Sequence, residues 1–200
     1  MNSAHSAQRK TRSAKNGRIF VISAPSGCGK TTVCRKVLRK VKGLFPSVSF
    51  TTRRPRRGEN PERDYFYITK SSFRKEIRQG NLLEWEENFG NLYGTPRRFV
   101  LDKIKKGKDL LLSIDVRGGM NVKRQFPSSV LIFLKPPSAE ELVKRLKIRN
   151  TDRAREIARR FGLAGKELSY AGKYDYVVVN DQLEKAVKEI TAIIRKNRRK

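Results

Sequence analysis

Four short apolar runs stand out of a chain otherwise dense in charge: Ile19–Ser23, LLLSI at 110–114, VLIFL at 130–134 and YVVVN at 176–180. None alternates with polar residues, and none is long enough for a buried helix. Such runs predict strands covered on both faces, as in a parallel sheet. The segments between them carry helical spacing and punctuation. Gln182–Arg195 has apolar residues at 183, 186, 187, 190, 193 and 194, one stripe of an amphipathic helix. Ser138 and Glu141 have the spacing of a capping box opening a helix over 139–149. Thr95-Pro96 predicts an N-cap and a first-turn proline for a helix that Gly107 stops. Strands alternating with helices predict an α/β fold.

Two stretches break this rhythm. Residues 47–95 are rich in arginine, aromatics and short alternating runs (SVSFTTR, YFYI, LLEWEEN), with one short helix near 71–79 ended by Gly80. They predict a β-rich insertion on the α/β core. Residues 148–161 (IRNTDRAREIARRF) are arginine-rich and poor in apolar side chains, which predicts a projecting, mobile segment.

The first apolar run leads into Ser23-Ala24-Pro25-Ser26-Gly27-Cys28-Gly29-Lys30-Thr31-Thr32. A strand followed by Gly-x4-Gly-Lys-Ser/Thr and a helix directs successive backbone N–H groups inward to cradle phosphates. In such a loop the lysine reaches the transferred phosphate, and the hydroxyl, here Thr31, ligates Mg2+. Ala24 stands where the pattern opens with glycine. Its methyl is tolerable if φ is negative there. The alternative, a glycine-rich turn with a surface lysine, fits the whole motif less well. Cys28, in a loop of inward N–H groups beside Lys30, is compatible with a thiolate sensitive to oxidants; the plainer alternative is that the position needs only a small side chain.

The insertion supplies a second set of polar groups. In Thr51-Thr52-Arg53-Arg54-Pro55-Arg56-Arg57-Gly58-Glu59 the turn residues let alternate arginines, Arg53 and Arg56, converge on one phosphate, and Glu59 can hold an arginine in place. Tyr65 and Tyr93 add phenolic hydroxyls. Glu84 suits a guanine base, because two carboxylate oxygens match its N1–H and N2–H2 donors, and the Ser49 and Thr95 hydroxyls can donate to O6. Each has a plainer alternative: an arginine run on a solvated face, a packed tyrosine, a surface glutamate, a helix-capping threonine.

Composition bounds the partners. The 200 residues include 47 basic and 19 acidic side chains, a formal net charge of +28. Residues 1–17 and 195–200 hold nine of the basic groups and no acid, so most of the surplus lies on the body. An anionic partner follows, either phosphate ligands or nucleic acid; the latter would be weak, nonspecific and salt-sensitive. Two cysteines form no disulfide framework and point to a reducing, cytoplasmic location. No apolar run approaches membrane-spanning length, so no membrane partner is expected. Residues 1–17 read as a disordered basic tail, with a short transit peptide as the alternative.

Taken together, APSGCGKT, SFTTRRPRRGE, DYF, LLEW, GNLYGTP, SIDVRGG, RNTDRAREIARRF and VVVND resemble the guanylate kinase family over roughly residues 18–195. The resemblance implies one domain over 18–200. Its fold would be the P-loop nucleoside monophosphate kinase fold: a parallel five-stranded sheet, a GMP-binding insertion at about 47–95 and a lid at about 148–161. It implies transfer of a phosphoryl group from ATP to GMP, giving ADP and GDP, with Mg2+ and no general base. Ser49, Glu84 and Thr95 would contact guanine. Arg53, Arg56, Tyr65 and Tyr93 would hold the GMP phosphate with Glu59 in support, and Asp115 would lie near GMP and the ion. Lys30, Arg149 and Arg160 would reach the ATP phosphates, and Asn180 would lie near adenine. Two departures from the family pattern are Ser113, where an acid is usual, and Arg153, Ala154 and Arg155 in the lid. A phosphopeptide-binding module of this fold is the rival in another class, but such modules lose the phosphate loop that this chain keeps. A basic nucleic-acid-binding protein without turnover is the other rival. Monomer and homodimer are equally compatible with the sequence.

Overall fold

A computed structural model describes residues 16–56, 58–148 and 162–198. Five parallel strands form the main sheet in the order β2-β7-β1-β8-β9. They are β1 (Ile19–Ser23), β2 (Leu44–Pro46), β7 (Asp109–Ser113), β8 (Val130–Lys135) and β9 (Tyr176–Val179). Residues Ile19 to Ser23 of β1 are all buried, because helices cover both faces of the sheet. Phe20 and Ile22 face one hydrophobic layer, shared with α1 (Lys30–Lys40) and the C-terminal helix α7 (Leu183–Arg198). Ile19 and Val21 face the other, shared with α3 (Arg97–Lys105) and α4 (Val116–Gln125). α5 (Ala139–Ile148) follows β8, and a short helix over 162–168, here α6, precedes β9.

β2 has no counterpart among the apolar runs. Gly43 and Pro46 confine it to three residues, so only its pairing with Leu110 and Leu111 of β7 makes it a strand. The C-terminal helix runs beyond the predicted Arg195 to Arg198. Asn197 there is buried and donates to the Ile193 carbonyl and the Tyr176 hydroxyl, tying the last turn to β9.

A second, mixed sheet has the order β4-β3-β6-β5, from β3 (Ser49–Thr51), β4 (Tyr65–Tyr67), β5 (Leu82–Asn88) and β6 (Asn91–Pro96), with α2 (Lys70–Arg78) packed on it through the buried Phe73. Thr95 lies in β6 and does not cap α3, whose N-cap is Pro96 with no side-chain hydrogen bond. The local Thr-Pro signal loses to cross-strand pairing: Thr95 sits opposite Glu84, and its hydroxyl is spent on that carboxylate. Residues 149–161 lie outside the described residues. Among the described residues, no helix is long and apolar enough to cross a membrane.

Candidate active site

A cleft of about 600 Å3 opens where the carboxyl ends of β1 and β7 face the second sheet. In a parallel sheet this is the end where the connecting loops diverge and ligands bind. The loop from Ala24 to Thr31 forms one wall. Gly27 (φ 91°) and Gly29 (φ 79°) give it left-handed turns that a side chain would strain. Among the described residues only Glu62 and Phe89 are non-glycines at positive φ, so Ala24 enters the loop at negative φ, its methyl buried in the core. Lys30 begins α1, and its Nζ donates to the Ile114 carbonyl at 2.6 Å.

Asn180, just beyond β9, does not line the cleft. Its buried amide donates to the Cys28 carbonyl at 2.7 Å and so braces the phosphate loop from below. Thr32 is exposed on α1 and lies outside the cleft lining. The Cys28 thiol corrects the oxidant expectation. Its backbone follows the loop, but its side chain is 0% exposed and belongs to the hydrophobic layer, out of reach of an oxidant in solution.

The second sheet makes the opposite wall. The register pairing Phe50 with Gly94, and Glu84 with Thr95, sets Ser49, Thr95 and Glu84 side by side on three strands. A bulge between Leu82 and Glu84 accompanies this placement. Ser49 and Thr95 hydroxyls lie 3.2 Å apart, and the Thr95 hydroxyl donates to Glu84 Oε1 at 2.5 Å. Thr95 is 0% and Glu84 6% exposed. Burial pushes the Glu84 carboxyl up to about 7, against the pull of the Thr95 hydroxyl. Room for this carboxylate comes from α4: a Cβ at Gly118 would fall 2.5 Å from Glu84 Oε2. Asp115 caps that helix, its Oδ1 accepting from the Gly118 amide at 2.8 Å while Oδ2 accepts from Asn88 at the tip of the β5–β6 hairpin.

Tyr65, Tyr93 and the exposed Arg56 also line the cleft. Arg53 and Glu59 stand behind them. Arg53 lies over the Tyr65 ring at 5.6 Å and donates to both Glu59 oxygens at 2.8 and 2.9 Å. Burial opposes ionisation of Glu59, but the Arg56 amide, the Tyr67 hydroxyl and Arg53 outweigh it and hold the carboxyl below its ordinary range. Arg149 and Arg160 lie outside the described residues. Ser113, at the end of β7, bonds Cys34 and lines the cleft.

A strand, a loop turned by glycines and a helix beginning with Lys30-Thr31 have the form of a phosphate-binding loop, and a buried carboxylate flanked by hydroxyls faces it across the cleft. The family model described as guanylate kinase matches residues 16–197. The chain belongs to the guanylate kinase family. Two curated guanylate kinases are similar over nearly their whole lengths. That of Caldanaerobacter subterraneus subsp. tengcongensis is 46% identical over 90% of this chain and 87% of its own, and that of Wolbachia pipientis wMel 44% over 92% of each. The crystal structure of guanylate kinase from Anaplasma phagocytophilum superposes with a TM-score of 0.78 at 34% identity, covering 93% of this chain and 88% of that one.

One cleft residue of this guanylate kinase family member carried no signal in the sequence. Glu167, on α6, lines the cleft and accepts a hydrogen bond from the Ser26 amide of the phosphate loop. Burial pushes its carboxyl up to about 7, with Lys30 pulling the other way. A lone acid among helical residues 162–168 has no motif around it. Only the fold brings it to the loop.

Proposed function

We propose that the cleft transfers the γ-phosphoryl group of ATP to GMP, giving ADP and GDP, with the residues already described in distinct roles. The observation that carries this reading is the buried Ser49–Thr95–Glu84 network facing a complete phosphate loop across one cleft. Glu84 accepts from guanine N1–H and N2–H2 and the Ser49 hydroxyl donates to O6, while the Thr95 hydroxyl beside them holds the Glu84 carboxylate in place. Tyr65, Tyr93 and Arg56 hold the acceptor phosphate, and Arg53, fixed by Glu59, adds positive charge behind them. Asp115 positions the nucleotide from the N-cap of α4. Transfer asks for alignment and for neutralisation of spreading charge more than for covalent chemistry, so no general base is needed.

Lys30 leaves the Ile114 carbonyl for the transferring phosphate when ATP binds, and the loop amides take the β-phosphate. Glu167 gives up the Ser26 amide at the same time. Asn180 acts through the loop that it braces. Arg149 and Arg160 rest on the family resemblance for their role at the ATP phosphates. Among the described residues no group of three His, Cys, Asp or Glu could hold a metal, which suits an ion bound by phosphate oxygens, water and one hydroxyl, that of Thr31. Mg2+ held there would neutralise charge on the β- and γ-phosphates. A cytoplasmic location agrees with cysteines that form no disulfide.

Coupled ADP release measured in turn with GMP, AMP, CMP and UMP tests the reading. GMP should be turned over far faster than the other three, and Lys30→Ala should lose on the order of a hundredfold in rate. Turnover of AMP matching that of GMP, or a Lys30→Ala variant as fast as the parent, would overturn it.

A further inference from the structure

The end of the molecule opposite the cleft concentrates positive charge. Residues 103–108 hold four basic side chains and no acid, and they end at the start of β7. Contacts join this run to the end of α1 and the end of α7. Leu44 pairs with Asp109, Arg198 Nη1 donates to the Lys42 carbonyl at 2.8 Å, and Arg198 Nε lies 2.6 Å from Asp109 Oδ2. Both ends of the described chain arrive here as well. The Gly17 amide donates to the Ile104 carbonyl at 2.7 Å, and Arg198 belongs to the last turn of α7.

Helix dipoles favour cations in the last turn of a helix, which accounts for Lys103, Lys105 and Lys196. They do not account for Lys42, Lys106 and Lys108, which follow the helices. One interleaved acid is already used: Asp109 is taken by Arg198 and by the Arg18 amide. The apolar surface is covered too. Lys103 lies 5.8 Å from the Phe45 ring centre and 5.4 Å from that of Phe99, and Lys108 lies 4.9 Å from that of Phe45. The exposed large apolar residues among those described are Trp85, Leu163, Val177 and Val179, all on other elements. A membrane-binding surface needs such residues on its contact face. This one offers a spread of ammonium groups without them, which suits a phosphate backbone.

We propose that this pole binds the phosphate backbone of nucleic acid, without sequence preference, while the cleft stays open. β1 separates the two ends by about 16 Å, the length of five extended residues, so both sites can be occupied together.

Fluorescence anisotropy of the full chain with labelled oligonucleotides, mixed-sequence RNA and duplex DNA in turn, tests this at low and at physiological salt. The triple variant Lys105→Glu, Lys106→Glu, Lys196→Glu should bind about tenfold or more weakly. Its salt slope on duplex should fall by roughly 0.9 for each contact removed. The control is Lys70→Glu, Arg74→Glu, Arg78→Glu, an equal charge reversal on exposed positions of α2; it should bind nearly as the parent does. Both variants should keep kinase turnover, which shows that they fold. Equal weakening in the two variants would assign binding to bulk charge and overturn the proposal. Displacement of the oligonucleotide by ATP or GMP would put it in the cleft and overturn it equally. So would sedimentation with phosphatidylserine vesicles in the absence of any oligonucleotide binding.

Discussion

Glu84 shows how a single residue sets stability and selectivity against each other. Burial raises its carboxyl from 4.5 to about 7, so between those values the folded chain keeps a proton that the unfolded chain has released. Stability therefore falls as pH rises through that window, and the loss is complete above it. Glu84→Gln keeps the size and an acceptor for the Thr95 hydroxyl but cannot ionise. Denaturant titration should find the variant more stable than the parent at about pH 8, by on the order of 2–3 kcal/mol, and no more stable at about pH 4. Steady-state kinetics should show the matching loss: a strongly raised KM for GMP, a narrowed GMP/AMP ratio and an unchanged KM for ATP. A variant less stable at both pH values would mean that the native carboxylate is not desolvated. Gly118 is the other half of this arrangement. Alanine is the better helix former by about 1 kcal/mol, yet its Cβ would fall 2.5 Å from Glu84 Oε2 and drive the carboxylate off Thr95. Gly118→Ala should raise the KM for GMP by about tenfold or more while the KM for ATP stays within about twofold. An unchanged KM for GMP would remove Glu84 from base recognition.

At the scale of elements, the phosphate loop depends on a strand that does not line the cleft. Asn180 follows β9 at the sheet edge, and its amide is the contact that holds the Cys28 carbonyl. Asn180→Ala leaves that carbonyl without this bond in a dry place, which should cost about 1–3 kcal/mol by denaturant titration. It should also raise the KM for ATP while leaving that for GMP nearly unchanged; a shift in the GMP constant alone would contradict the brace. Such relations bound what a sequence can tell. β1, β7 and β8 were legible because each is an apolar run buried on both faces; β9 was legible as an apolar run too, although at the sheet edge its Val177 and Val179 are exposed. β2 was not, since three residues ending in Pro46 carry no period, and its strand character comes from β7. The motif residues Ser49, Glu84 and Thr95 could be named in advance, but the hydroxyl of Thr95 was open to two uses. Pairing across β5 and β6 gives it a third, donation to the Glu84 carboxylate. Glu167 was illegible for the opposite reason. Its chemistry depends wholly on where α6 lies against the loop, which no local pattern encodes.

Across the whole molecule, parallel strands divide the anion-binding surfaces between two ends: inward amides and Lys30 at the carboxyl ends of the strands, and lysines gathered at their amino ends. A net charge of +28 on 200 residues also repels itself, because 47 basic groups face only 19 acids. Most of these charges are exposed, where salt screens them over about 10 Å at 0.1 M. Thermal stability should therefore rise with sodium chloride, the reverse of what a fold held by surface ion pairs would show. The surface pairs here, such as Arg35–Asp64 at 2.6 Å and Lys40–Glu184 at 3.0 Å, are too few and too exposed to reverse that sign. Sodium phosphate at matched ionic strength should raise the melting temperature further, because the dianion also occupies the loop from Ala24 to Thr31 and binds only the folded chain. In a protein of this size about 1 kcal/mol corresponds to roughly 2–4 °C, a shift that differential scanning fluorimetry resolves. Lys30→Ala should keep the chloride effect and lose most of the extra gain in phosphate. A melting temperature that falls with chloride would show that ion pairs outweigh self-repulsion. An equal gain with both salts in the parent would show that the loop does not hold free phosphate.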